Sequence, residues 1–303
     1  MDNRDATREF LASRRAKITP EQSGLPVYGT KRRVPGLRRG EVAMLAGVSV
    51  EYYTRLERGN LSGVSESVLD AVAKALQLDD AERAHLFDLA RAAAPGSRTR
   101  RRSRPAESVR RSVQLTLNAI TSAPAFVRNG RMDIIAANPL GYALYSDMYA
   151  GPARPANHAR FIFLDDRSRS FYPDWERAAN DTVAILRTEA GRDPYDRGLT
   201  DLVGELSTRS EQFRTLWAAH NVRQHYTGLK HFRHQVVGEL HLMYEALDVS
   251  ADAGLSMLVY TAEPGSATED ALHLLAGWAA TNRQVKEAEA GTPVTAVTAA
   301  EKA

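Results

Sequence analysis

Five side chains close together, Ser49, Val50, Glu51, Thr54 and Arg55, have the types and spacing to read the edges of DNA bases. An arginine can grip guanine O6 and N7 with both arms of its guanidinium. A glutamate can accept from the cytosine amine, and a valine can lie against the thymine methyl. Such chemistry needs a rigid carrier that fits the major groove, and the flanking residues supply one. From Arg38-Arg39-Gly40 to Gly59 the chain reads as two short helices joined at Gly47. Val42, Ala46, Val48, Tyr53 and Leu56 fall where such a pair buries side chains, and Ala43 is small where the helices approach most closely. At the Gly47 turn a left-handed backbone would cost a residue with a Cβ about 1 kcal/mol or more. Ser49 is a suitable N-cap for the second helix, and Gly59 a suitable stop. The plain alternative is an ordinary helical hairpin with an alanine-rich contact.

Basic residues flank this unit. Lys31, Arg32, Arg33, Arg38 and Arg39 are candidate phosphate contacts, which position a protein on DNA without reading sequence. The net charge of +3 hides an asymmetry: residues 1–106 hold 20 Lys/Arg against 13 Asp/Glu, for +7, and the remainder carries −4. A basic head on a mildly acidic body suits a polyanion held at one end.

The rest of the head is support. A helix from about Asp5 to Lys17 buries Phe10, Leu11 and Ala6, with Arg14 either paired to Glu41 or exposed. A fourth helix begins near Ser65–Ser67 with Val68, Leu69, Val72 and Leu76 at helical spacing. A fifth begins at Asp79, with Glu82 as capping partner, and carries Leu86, Leu89 and Ala90. The expectation is a five-helix bundle over residues 1–94 and an arginine-rich linker over 95–106, either a phosphate tether or a solvated hinge. A second domain over 107–286 and a disordered tail over 287–303 complete the division.

The second domain reads as mixed α+β. A helix over about 107–121 leads to strands Ala125–Arg128 and Met132–Ala136 around the turn signal Asn129-Gly130. Helices follow near Pro139–Tyr145, Asp174–Glu189 and Leu199–Ser207. Strands are expected near Glu211–Trp217, Gly228–Val237, Glu239–Leu247 and Leu255–Thr261, then a closing helix over Asp270–Gln284. A sheet with helices over one face leaves room for a cavity. Candidates to line it are Phe126, Ile134, Asn138, Tyr142, Phe163, Trp217 and His234. The alternative is core packing for the apolar ones, and a backbone hydrogen bond for Asn138 and His234.

In Phe10-Leu11-Ala12-Ser13-Arg14-Arg15, Arg32-Arg33-Val34-Pro35-Gly36-Leu37-Arg38-Arg39, Leu45-Ala46-Gly47-Val48-Ser49 and Tyr52-Tyr53-Thr54-Arg55-Leu56-Glu57, the chain resembles XRE-type helix-turn-helix regulators with an MmyB-like C-terminal domain. The resemblance continues in Ala84–Ala90, Asn138-Pro139-Leu140, Arg160–Asp165, and His234 with Val237-Gly238-Glu239-Leu240. It implies a lambda-repressor-like head followed by a PAS-like sensor domain. Two departures stand out: Gly40 where the family usually carries Glu, softening the start of that helix, and Gln235 where it often has Pro.

Other chemistries lack their residues. There is no cysteine, hence no disulfide or thiolate metal site. His220, His225, His231, His234 and His241 cluster without a metal-ligand spacing, and His231 and His234, three apart on a strand, face opposite ways. No Gly-x-Ser-x-Gly, Walker-type or dinucleotide motif occurs. No apolar run approaches the ~20 residues of a membrane span, and Met1–Asp5 lacks the pattern of a signal peptide. The reading is a cytoplasmic, sequence-specific DNA-binding regulator and not an enzyme, without metal or bound cofactor. It acts as a homodimer on double-stranded operator DNA, governed by a non-covalent small-molecule effector, an apolar one included. The alternative makes the C-terminal domain a dimerisation or protein-partner module without a ligand.

Overall fold

The computed structural model describes residues 3–25, 34, 36–94, 108–151, 154–222 and 226–291, with backbone alone from 283. Lys31, Arg32, Arg33, nearly all of the linker, His225 and the tail beyond 291 lie outside the described residues.

The head is the expected bundle: α1 (Asn3–Lys17), α2 (Arg39–Leu45), α3 (Val50–Glu57), α4 (Glu66–Ala75) and α5 (Asp80–Ala93). Ser65 caps α4, and Asp79 with Glu82 forms a reciprocal capping box on α5, each satisfying otherwise unpaired backbone N–H groups. Phe10, Leu11, Val42, Tyr53, Leu56, Leu69 and Leu86 fill one apolar core.

The second domain opens with α6 (Arg111–Ala119), followed by β1 (Ala125–Asn129) and β2 (Ile134–Ala137). A helical layer follows: α7 (Pro139–Leu144), α8 (Ser146–Tyr149), α9 (His158–Leu164), α10 (Arg167–Phe171), α11 (Trp175–Arg192), α12 (Arg197–Arg209) and α13 (Glu211–Ala218). Then come β3 (Thr227–His234), β4 (Gly238–Asp248), β5 (Leu255–Thr261) and α14 (Ala267–Gly291). All strand pairs are antiparallel, in the order β2-β1-β5-β4-β3. Phe126, Phe232, Leu240 and Tyr260 face the helical layer, while Ala125, Val127 and Met257 pack on Val113 and Leu117 of α6. The strand β1 is therefore buried on both faces, whereas β3 and β4 leave Leu229, Met243 and Leu247 exposed outside.

Three expectations need correction. Glu211–Trp217 is helix α13 and not a strand: Ser210 caps it, and Phe213, Leu216 and Trp217 recur at helical spacing against α11 and α12. The closing helix runs on to Gly291 and takes in 287–291 of the expected tail. The short helices α9 and α10 had no counterpart in the sequence reading.

The two halves meet where α5 packs on α11. Arg14 bridges to Glu82 at 3.1 Å and donates to the His220 carbonyl, so it does not pair with Glu41. Lys17 donates to Asn221 at 2.8 Å, and Val222 is buried in the head core. His85 lies edge-on to Phe10 and against Gly191, where an added Cβ would sit 2.4 Å from the imidazole. Arg192 approaches Asp88 at 3.6 Å.

Two imidazoles in this seam are held neutral. Burial first, and then Arg187 and Arg14, push His85 down to about 3 and His220 down to about 4. The facing carboxylates are Glu9, 3.5 Å from His220, with Glu82 and Asp88. An opened seam returns the imidazoles toward their ordinary value of 6.5, so the open state binds more protons as pH falls below it. The seam's full stability is present above that value and is lost progressively as pH drops toward about 4. Protection of α5 amides from hydrogen exchange should fall between about pH 7 and pH 5, and by less in His85→Leu. An identical pH response in that variant would rule His85 out as its cause.

Candidate functional site

The second helix of the head is fixed at both ends. The Ser49 hydroxyl accepts from the Tyr52 N–H at 3.0 Å. Gly47 takes φ +65° at the turn, and Gly59 takes φ +88° with its Cα pressed on the Arg4 backbone, where a Cβ would meet the carbonyl at 2.4 Å. Ala43 is fully buried in the α2–α3 contact, and its carbonyl accepts from Val48 at 3.0 Å. With Tyr53 and Leu56 turned into the core, Ser49, Val50, Glu51 and Arg55 are exposed and Thr54 half-buried. Val50, Glu51, Thr54 and Arg55 thus lie on the outward side of α3, with Ser49 at its N-terminal cap.

Two features of α3 have no counterpart among the sequence expectations. The Arg55 guanidinium lies 4.7 Å over the Tyr52 ring, a cation–π contact that holds its fork over one patch of surface. Their three-residue spacing on a helix was the available signal. The second is Glu57, buried at 2% exposure. Arg15 reaches it with two nitrogens, at 3.1 and 2.9 Å, and Arg39 adds a third contact at 3.1 Å. Burial alone would raise this carboxyl; the hydrogen bonds from the two arginines outweigh it and hold the group below its ordinary value. Arg39 is thus spoken for by the fold, although half of its surface remains open. Arg38 is exposed, and its backbone N–H donates to Glu41 at 2.6 Å, which closes the start of α2.

In the second domain the expected cavity residues scatter. Phe126 packs on Tyr145 and Tyr260, with ring centroids 5.6 and 6.0 Å away. The space between sheet and helices there is filled by the chain's own rings, tied by Tyr145–Tyr260 and His158–Tyr172 hydrogen bonds of 2.8 and 2.6 Å. Ile134 joins the same core. Asn138 caps α7: it accepts from Gly141 and Ala125, donates to the Ile120 and Ala123 carbonyls, and so has nothing left for a ligand. The Tyr142 ring is exposed beside Tyr149. Phe163 and Trp217 sandwich into Phe213 within the helical layer. His234 accepts from the Val236 N–H at Nδ1 and faces the Ala143 carbonyl with Nε2, so both nitrogens are used. These residues are core and caps, not one lining.

An open cleft lies elsewhere, about 260 Å³ between the β1–β2 turn, the end of α11 and the β4–β5 turn. Arg128, Ile185, Glu189, Arg192, Asp248 and Ser256 are among its walls. A lone arginine in the apolar run Ala125-Phe126-Val127-Arg128 was the signal in the sequence. Among the described residues no group of three or more His, Asp or Glu side chains could hold a metal ion, and no helix is long and apolar enough to cross a membrane.

Comparison with known proteins matches both halves. Residues 9–86 match a helix-turn-helix domain, and residues 109–275 match the MmyB-like transcription regulator ligand binding domain. No curated protein matches the chain.

Two substitutions test the head. Glu57→Gln leaves two arginines facing a neutral amide and should cost about 2–4 kcal/mol in urea unfolding. Gly40→Ala should stabilise by up to about 1 kcal/mol, because its Cβ would meet nothing closer than Val50 Cγ2 at 3.9 Å. A neutral Glu57→Gln, or a destabilised Gly40→Ala, would contradict these assignments.

Proposed function

Because the chain belongs to the MmyB-like transcription regulators, with a helix-turn-helix DNA-binding head and a ligand-binding C-terminal domain, we propose how the two halves work. The head reads its operator with Ser49, Val50, Glu51, Thr54 and Arg55 from α3 in the major groove. Arg55, prealigned on Tyr52, takes guanine; Val50 takes a thymine methyl; Glu51 takes cytosine N4. Arg38, with Lys31, Arg32 and Arg33, holds phosphates, and Arg39 contributes only its open side. The observation that carries this reading is the Ser49-capped helix that leaves Val50, Glu51 and Arg55 exposed and Thr54 half-exposed.

The functional unit is a homodimer on a pseudo-palindromic site, each head in one half-site. The bare outer face of β3 and β4, with Leu229, Met243 and Leu247, offers apolar surface for a second copy. A small molecule bound by the C-terminal domain shifts the head's affinity, which requires that it favour one arrangement of the two halves over the other.

Selection from randomised DNA is expected to lose its base preference at one position in Arg55→Ala, at a cost of about 1–3 kcal/mol. Arg38→Ala should instead weaken binding uniformly and lower the salt slope by about one. An unchanged preference in Arg55→Ala would sink the assignment. For the sensor, native mass spectrometry of gently purified chain should show added small-molecule mass, and releasing it should change operator affinity. If nothing co-purifies and no metabolite in a panel raises the melting temperature, the dimerisation-only alternative takes its place.

A further inference from the structure

Arg128 is the oddest charge in the molecule. Its residue is 8% exposed, yet among the described residues its side chain makes no hydrogen bond, ion pair or ring contact. A buried cation that no carboxylate hydrogen-bonds costs several kcal/mol unless something outside the fold meets it. The backbone presents it deliberately: the β1–β2 register shifts between Val127 and Arg128, an irregularity of the kind that re-aims a side chain beside a site. Phe126, two residues back on the same face, points into the aromatic core, and Arg128 lines the cleft at the end of that core. The carboxylate that acts on it, Glu189, is engaged by Arg192 at 2.8 Å. Asp248, also on the wall, is used by the Ser256 hydroxyl at 3.1 Å.

The cleft shares a wall with the interdomain seam. Ile185, Glu189 and Arg192 of α11 line it, while Gly191 and Arg192 of the same helix meet His85 and Asp88 of the head. Arg192 therefore belongs to both.

We propose that this cleft binds a compact anion, a carboxylate or phosphate group, through Arg128 with Arg192 as second contact. Its occupancy draws Arg192 away from Asp88 and loosens the head from α11. This rests on the reading above that a ligand in the C-terminal domain sets the head's affinity, and it names that ligand's charged group and its route.

The test uses the full chain and an operator obtained by selection, titrated with inorganic phosphate and, separately, succinate, at constant ionic strength kept with chloride. One of them should raise the melting temperature saturably by a few degrees, and change operator affinity about fivefold or more. A response to phosphate alone or to succinate alone identifies the group. Arg128→Gln should fold with equal or greater stability, since it removes an unpaired buried charge, and should lose the response. Asp88→Asn should keep the rise in melting temperature and lose the effect on DNA. No saturable rise with either anion, or a rise that survives in Arg128→Gln, overturns the site. A rise lost in Arg128→Gln but without any change in operator affinity overturns the coupling. A co-purified molecule that still shifts DNA affinity in Arg128→Gln overturns this cleft as the site and leaves the ligand-controlled regulator standing.

Discussion

A charge taken out of water must be met by an opposite one, and that constraint sets the geometry of this protein. Glu57 at the end of α3 is sealed in, and only arginines from two other helices make it tolerable. Arg15 of α1 holds it with two nitrogens and spends a third on the Leu37 carbonyl at 2.9 Å. Arg39 arrives from the first residue of α2. One carboxylate thereby fixes the angles among α1, α2 and α3. The apolar contacts through Val42, Ala43, Tyr53 and Leu56 would tolerate some sliding, but a two-nitrogen clamp on a buried carboxylate does not. Whatever α3 presents outward is presented in one orientation.

The same rule governs the junction between the halves. Arg14 is buried because Glu82 and the His220 carbonyl receive it. Its neighbour Arg187 lies 4.0 Å over the Trp217 ring and donates to that residue's carbonyl. Placing four cationic or potentially cationic groups so close leaves the imidazoles one solution, which is to give up their protons. The long helix α11 carries this arrangement at its C-terminal end while its middle packs into the helical layer over the sheet. A rigid element that packs on α5 of the head and on α9, α12 and α13 of the helical layer is a direct mechanical route between them.

What could be read from the sequence divides along local and non-local lines. The caps at Ser49 and Asp79, the Gly47 turn and the helix-turn-helix core depend on residues a few positions apart, and each stands as expected. Five of the six strand segments expected in the second domain also formed, whereas the Glu211–Trp217 segment became a helix because its period is set by Phe213, Leu216 and Trp217. The ion pairs were not legible. Arg14 has carboxylates to choose from in every helix of the head, and only the packed fold selects Glu82 over Glu41. Nor does anything local to Glu57 in the sequence select Arg15 and Arg39 as its partners. The expected lining residues do not share one cavity because large aromatic side chains suggest a lining as readily as a core; here they fill the space between sheet and helices. Asn138 and His234 followed the ordinary rule that a buried polar group finds backbone partners.

The interdomain seam is also held by less than its list of contacts suggests. Arg14 Nε, His85 Nδ1, Arg187 Nε and His220 Nδ1 are buried there with no hydrogen-bond partner among the described residues. Each such atom forfeits about 1–3 kcal/mol of solvation, a cost that offsets much of what Val222, Lys17–Asn221 and Arg14–Glu82 contribute. A fully satisfied seam would lock the two halves into one body, and no ligand's differential affinity, typically a coupling of about 1–3 kcal/mol, could then shift it. The same polar atoms that weaken it make the head's attachment to α11 adjustable, which a regulator needs and a purely structural linkage does not.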